Sequence, residues 1–137
     1  MKIFLFGSKD IYGVPESLVR QLEMLLEQTN GNLQFIVGDC SGIDASFHTV
    51  LSMIGARSKT TIYCMDYARN NRFEFETKVF NSDGMEGREL YEYKDRQMCK
   101  DCDIAVTVWD GKSRGTFNCI TILKAQDKPV YVFTVAQ

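Results

Sequence analysis

Three short segments place small, hydroxyl-bearing and charged residues directly after apolar runs, and this chemistry suits phosphate binding. The segments are Gly7-Ser8-Lys9, Gly38-Asp39-Cys40-Ser41-Gly42 and Asp110-Gly111-Lys112-Ser113-Arg114-Gly115-Thr116. Where a strand ends in a glycine-containing loop and the chain restarts as a helix, unpaired backbone N–H groups and a positive helix-dipole end point to one place. The third segment leads into a helix predicted over residues 117–126 and is the strongest candidate.

Within the third segment, different residue types would contribute different interactions with a bound anion. Gly111 and Gly115 would admit a ligand to the backbone, Ser113 and Thr116 would supply hydroxyls, and Arg114 would supply charge. The alternative is a purely structural turn between strand and helix. The order of residues differs from a Walker motif, which requires Gly-Lys immediately before the Ser or Thr.

The first two segments have their own functional and structural interpretations. Gly7 would allow close approach of a ligand, Ser8 would donate a hydrogen bond and Lys9 would add charge, unless this is an ordinary strand exit. Gly38 and Gly42 flank a turn in which Asp39, or Asp44 just beyond it, would contact a ribose hydroxyl or a base. Asp44 is equally consistent with a helix-dipole partner.

Two further side chains are candidates from the second half of the chain. Arg96, on a predicted helix, would bind a phosphate or carboxylate with its forked donors, or else pair with Glu92 on the same helix. Asp110, at a predicted strand end, would contact a ribose or act as a general base, or else would cap the turn that follows.

The elements that must position these residues alternate along the chain. Apolar runs over residues 3–6, 33–37, 60–65, 104–109 and 130–133 predict strands, and most are separated by segments with helical periodicity. This alternation predicts an α/β fold, a Rossmann-like three-layer sandwich with a mainly parallel sheet of about five strands. Since functional loops of such sheets lie at the carboxyl ends of the strands, the three segments should share one edge.

The segment over residues 66–85 is harder to assign. Residues 72–80 alternate apolar with charged side chains, which suits a half-exposed strand, and residues 86–100 predict a polar helix. We interpret residues 66–85 as a flap over the site or an oligomer contact within a single domain spanning residues 1–137.

Composition narrows the function classes. The chain has 137 residues, 45% of them hydrophobic and 12% aromatic, which is typical of a globular protein. Its net charge of −2 argues against nucleic acid as a main partner, and no run is long and apolar enough for a signal peptide or membrane span. Five irregularly spaced cysteines favour a reducing cytoplasm, and the single histidine, His48, argues against a metal site. No cofactor is expected.

Four motifs in order resemble one family. They are Gly7-Ser8-Lys9, Gly38-Asp39-Cys40-Ser41-Gly42-Ile43-Asp44, Lys94-Asp95-Arg96-Gln97-Met98 and Trp109-Asp110-Gly111-Lys112-Ser113-Arg114-Gly115-Thr116. Together they resemble the SLOG superfamily, the Rossmann-like domains typified by DprA and the LOG phosphoribohydrolases, and above all its small members related to YspA and YpsA.

The resemblance implies a small nucleotide-derived ligand, bound by a sensor or sequestering module that forms a homo-oligomer. It also implies an enzyme alternative, N-glycosidic cleavage of a nucleoside monophosphate. LOG enzymes carry a catalytic glutamate three residues after the Gly-Thr pair, and here Cys119 stands in that place. Asp110 or Glu89 would have to replace it.

An oligomeric interaction domain with purely structural loops is the third interpretation, and a DprA-like role on single-stranded DNA is the least favoured.

Overall fold

The protein is an α/β sandwich, seen in a computed structural model that describes residues 1–29 and 31–135. Six strands and four helices occur there, with a short 3-10 helix at Arg57–Lys59. The strands are β1 (Lys2–Gly7), β2 (Gln34–Gly38), β3 (Thr60–Met65), β4 (Glu76–Phe80), β5 (Ile104–Trp109) and β6 (Val130–Thr134). The helices are α1 (Glu16–Gln28), α2 (Ile43–Met53), α3 (Arg88–Asp101) and α4 (Arg114–Ala125).

The strands form one parallel sheet in the order β4-β3-β2-β1-β5-β6. This confirms the Rossmann-like sandwich predicted from the alternation of elements, with six strands rather than about five. No helix among the described residues is long and apolar enough to cross a membrane.

Alternating side chains of the central strands build two cores, one on each face of the sheet. Ile3 and Leu5 of β1 face the layer that contains α1 and α2, whereas Phe4 and Phe6 face the layer that contains α3 and α4. The near-continuous apolar sequence of β1 follows from this burial on both faces. The two layers pack against the strands whose ends carry the candidate loops.

The sixth strand comes from the segment that was hard to assign. Only Glu76–Phe80 pairs with β3, as a largely exposed edge strand. The preceding Phe73 and Phe75 do not belong to this strand, because they pack into the core beneath α2, with the ring of Phe75 5.6 Å from that of His48. Residues 66–75 therefore form the crossover from β3 to β4 and take the place of a helix there.

Candidate functional site

The strand order reverses between β1 and β5. From β1 the chain adds β2, β3 and β4 on one side, and it then crosses to β5 and β6 on the other. In open parallel sheets a crevice forms at such a switch point, outside the carboxyl ends of the strands. Two of the three candidate loops, which follow β1 and β5, flank this point, and the third follows the adjacent β2.

Ser8 joins all three loops. It is fully buried, and its backbone N–H donates to Val108 at 3.1 Å while its carbonyl accepts from Ile43 at 3.0 Å. Its hydroxyl oxygen accepts from the N–H of Asp110 at 3.1 Å. These bonds bring the predicted segments together at one edge, and they commit Ser8 to the loops themselves.

Gly7 and Gly42 are required by close backbone approach at this junction. A Cβ on Gly7 would lie 2.3 Å from the carbonyl oxygen of Val108, and one on Gly42 would lie 2.3 Å from that of Lys9. Gly42 also has a φ of +76°, which favours glycine. Both glycines therefore pack the loops against one another.

The segment after β5 is organised by Asp110. Its Oδ1 accepts hydrogen bonds from the N–H groups of Lys112 and Ser113, each at 2.8 Å, and Gly111 has a φ of +80°. The turn is tight enough for α4 to begin at Arg114 rather than at the predicted residue 117. Gly115 and Thr116 accordingly lie in the first turn of the helix, not in the loop.

The first turn of α4 is open to an additional acceptor. The side chain of Ser113, the residue before the helix, makes no capping hydrogen bond among the described residues, although its hydroxyl accepts from that of Thr116 at 3.3 Å. Gly115 has no atom within 4 Å of an added Cβ, and Lys112 and Arg114 are exposed beside it. Orphan N–H groups and two cations thus meet beside the switch point.

The two catalytic candidates differ in their surroundings. The backbone hydrogen bonds from Ser113 and Lys112 lower the pKa of Asp110, which holds its carboxyl group ionised and matches a turn-capping role. Glu89 is exposed in the first turn of α3. Lys9 and Arg96 are also exposed, and neither forms an ion pair within the described ranges.

Asp39, just after β2, is the buried centre of an ion cluster. Arg69 of the crossover donates to it through its side chain, from Nη2 to Oδ1 at 2.8 Å and from Nε to Oδ2 at 3.2 Å, and through its backbone N–H at 2.9 Å. Lys94 of α3 donates from Nζ to Oδ1 at 3.0 Å. Asp39 is 1% exposed and Lys94 3%, so this carboxylate is occupied by protein donors rather than presented to solvent.

The charged groups of this cluster stabilise one another's ionised forms. Burial alone would raise the pKa of Asp39, but the hydrogen bond from Arg69 and the charge of Lys94 lower it to about 2. Burial alone would lower the pKa of Lys94, yet the charges of Asp39, Asp44 and Asp95 together outweigh burial and the pKa is raised. Both groups are therefore ionised at neutral pH.

Asp44 lies beside this cluster, where nearby positive charge offsets less of the effect of burial on its pKa than it does for Asp39. It is buried in the first turn of α2, where one carboxylate oxygen accepts from the N–H of Cys40 at 3.3 Å. Burial raises its pKa to about 7, and the charge of Lys94 offsets this only in part. His48, one helical turn further along, hydrogen-bonds the carbonyl of Gly38 at 2.8 Å, and burial lowers its pKa.

Asp44 should make stability depend on pH between about 4 and 7. Its folded pKa lies above the ordinary value of 3.8, so the folded state binds more protons in this range and ionisation of Asp44 destabilises it as pH rises. We expect Asp44→Asn, which keeps an acceptor for the Cys40 N–H, to become progressively more stable relative to the parent protein from pH 5 to pH 8. Thermal melting midpoints of both proteins across this range check the difference.

The difference between the two melting curves isolates Asp44, because Asp95 and His48 titrate in both proteins. Burial raises the pKa of Asp95 to about 6, which acts in the same direction as Asp44, whereas His48 acts in the opposite one. A difference that stays constant across the range would contradict the assignment to Asp44.

Sequence reasoning did not single out Arg69, and it named Lys94 only within a motif and not as a site residue. Lys94 had a usable signal, because it lies midway between Leu90 and Met98 at intervals of four, on the buried stripe of α3. Arg69 had none, since nothing near it in the sequence indicates that the crossover folds back to the end of β2.

Hollows on the surface of the described chain include one at each edge of the sheet. A cavity of about 120 Å³ lies next to the ion cluster at the carboxyl edge of the sheet, between the crossover and α3. A wider hollow of about 410 Å³ lies at the opposite edge, around Met1, Gln34 and Asp103. In a parallel sheet the functional loops lie at the carboxyl edge, and the smaller cavity lies at that edge.

Within residues 1–29 and 31–135 no group of three or more His, Cys, Asp or Glu side chains could hold a metal ion. Comparison of the chain with protein-family models, with curated proteins and with solved structures gave no match.

Proposed function

We propose that this protein binds a small phosphorylated nucleotide or nucleotide-derived ligand and acts as a sensor or sequestering module. The observation that carries the proposal is the start of α4 at the switch point between β1 and β5. Its first turn is uncapped by Ser113 and uncrowded at Gly115, and the exposed Lys112 and Arg114 flank it. A helix N-terminus with these neighbours binds phosphate through backbone donors and charge together.

The ligand's remaining parts would extend along the same edge, over the loops that Ser8 joins. Lys9 is exposed there and supplies a further cation near the phosphate. The ribose would lie near Asp110, whose half-buried carboxylate accepts both turn hydrogen bonds through Oδ1. Asp39 is a weaker ribose partner than its sequence position indicates, because Arg69 and Lys94 take both of its oxygens.

Ligand binding should raise the melting temperature and depend on the first turn of α4. A ligand that binds only the folded state adds about 2.7 kcal/mol at a hundredfold excess over its dissociation constant. We expect one member of a panel of nucleoside phosphates, cyclic nucleotides and ADP-ribose to produce this shift. Arg114→Gln combined with Lys112→Gln should weaken binding about tenfold or more, because each change removes a charge-assisted contact.

Lys124→Gln is the matched control, since it removes a positive charge from the exposed last turn of the same helix and should leave the affinity unchanged. The proposal fails if no member of the panel shifts the midpoint, or if both sets of variants weaken binding equally.

The enzyme alternative, N-glycosidic cleavage, is tested on the same ligand. Asp110→Asn preserves an acceptor for the N–H groups of Lys112 and Ser113, so the turn should survive. Release of free base by the parent protein, abolished in this variant while binding persists, would favour catalysis over sensing.

We further propose that the protein is a homo-oligomer of the cytoplasm. Support for assembly comes from the exposed apolar side chains of Tyr131 and Val132 on the edge strand β6 and of Phe117 on α4. The described cysteines are all unpaired, which fits a reducing compartment. Light scattering on a size-exclusion column measures the assembly state directly.

A further inference from the structure

The cavity of about 120 Å³ beside the ion cluster lies away from the first turn of α4, where the phosphate of the proposed nucleotide would bind. Its lining includes Asp39, Tyr67, Arg69, Leu90, Tyr91 and Lys94. No residue of the loops after β1 and β5 lines it. The crossover from β3 forms one wall and α3 forms the other.

Lys94 brings unused hydrogen-bonding capacity to this cavity. Its ammonium group carries three donors, and it is 3% exposed. Within the described residues it makes a single hydrogen bond, to Oδ1 of Asp39 at 3.0 Å. Buried polar groups of folded proteins are ordinarily satisfied, so the remaining donors call for an acceptor in the cavity that Lys94 lines.

Arg69 adds a second cation with a fixed orientation. Asp39 occupies the Nε and Nη2 donors of its guanidinium, which has five N–H groups in all. The ring of Tyr91 lies against the guanidinium, with Cζ 4.6 Å from the ring centroid. These two contacts fix the plane of the group and leave its other donors available.

Direct ion pairs in the cluster involve one carboxylate. Within the described residues, Lys94 and the partly exposed Arg69 both pair with Asp39 and with no other acid. The charges of Asp44 and Asp95 also act on Lys94, but neither carboxyl group forms an ion pair with it. Asp66 also lines the cavity, but it is exposed at the rim, and its Oδ1 accepts from the N–H of Ser82.

We propose that this cavity is a second ligand site, which binds a small oxyanion, either a phosphoryl or a carboxylate group, through Lys94 and Arg69. The oxyanion accepts the free donors of both cations while Asp39 keeps them in position. Tyr91 and Leu90 line the cavity beside it, which favours a compact group over a fully hydrated ion. Arg69 belongs to the crossover, so a bound oxyanion also ties this segment more firmly to α3.

Backbone amide NMR spectra of the parent protein test this site directly. The chain is titrated with inorganic phosphate and, separately, with malonate, each against sodium chloride at equal ionic strength. We expect saturable shifts at residues 67–70 and 90–94 with one or both oxyanions, and the oxyanion that saturates names the group. Arg69→Gln and Lys94→Met should each weaken this binding about tenfold or more, the effect of losing a hydrogen bond to a charged group.

Arg72→Gln is the matched control, because Arg72 is exposed on the same crossover and its guanidinium stacks on Phe73 rather than contacting Asp39. If Arg69→Gln or Lys94→Met does not fold, as judged from its NMR spectrum, Leu90→Trp provides the test. This substitution fills the cavity and leaves the ion pairs intact, so it should abolish the oxyanion-dependent shifts. Shifts that sodium chloride reproduces, that saturate with neither oxyanion, or that survive Leu90→Trp would overturn the inference. Phosphate shifts confined to residues 111–116 would overturn it too, while leaving the proposed nucleotide site standing.

Discussion

Asp39→Asn is expected to lower the free energy of unfolding by about 3–5 kcal/mol, because it leaves the buried Lys94 ammonium without its counter-charge. Urea titration monitored by circular dichroism measures the loss. Glu16→Gln is the control, since it breaks the exposed Glu16–Arg20 pair within α1 and should change stability by about 0.5 kcal/mol or less. Equal effects of the two substitutions would show that burial gives the Asp39 pair no special weight.

The Asp39 contribution should also be lost in acid. Its folded pKa of about 2 lies below the ordinary 3.8, so the unfolded state binds more protons between these values. The stabilisation is complete above about pH 4 and disappears as pH falls toward 2. The gap between the parent protein and Asp39→Asn should therefore narrow by about 2 kcal/mol over this interval, because each pKa unit corresponds to about 1.4 kcal/mol. A gap that stays constant down to pH 2 would contradict the assigned pKa.

Gly42→Ala is expected to destabilise the protein by at least about 2 kcal/mol, whereas Gly115→Ala should stabilise it by up to about 1 kcal/mol. At Gly42 the new Cβ would lie 2.3 Å from the Lys9 carbonyl, in a backbone conformation with a φ of +76°. At Gly115 the Cβ meets no atom within 4 Å and lies in a helix, where alanine is preferred. Both substitutions add one methyl group, so each serves as the control for the other in chemical denaturation.

Stability changes of opposite sign in the two glycine variants would establish that the two glycines have different structural roles. Gly42 lets the loops after β1 and β2 touch, and Gly115 leaves room above the first turn of α4. If Gly42→Ala proved neutral, the close contact between these two loops would be wrong.

The architecture was predictable because it depends on periodicity. Runs such as residues 3–6 and 104–109 are buried on both faces, and the helices between them have apolar stripes, so the parallel sandwich follows from local pattern. The start of strand β4 could not be predicted, because Phe73 and Phe75 before it extend the strand-like alternation although they pack into the core beneath α2. An edge strand with little burial carries too weak a pattern to show where it starts.

The candidate site was predictable only as a set of loops. Parallel topology places the ends of β1, β2 and β5 at one edge, and their glycines indicate tight turns. Which polar side chains remain available to a ligand depends on contacts between distant segments. Asp39 looked available in the sequence, and its occupation by Arg69, thirty residues away, is a tertiary fact that no local pattern contains.

The position of Ser8 separates the scaffold of this edge from its specificity. Its two backbone groups and its hydroxyl connect three strand ends, so hydrogen bonds join the main chain beneath the proposed ligand into one unit. The exposed Lys9, Lys112 and Arg114 lie on that unit and contribute little to holding it together. We therefore expect substitutions at these three positions to change anion recognition at the proposed nucleotide site with almost no loss of stability. An edge built in this way would be evolvable, because the proposed ligand could change while the fold stays fixed.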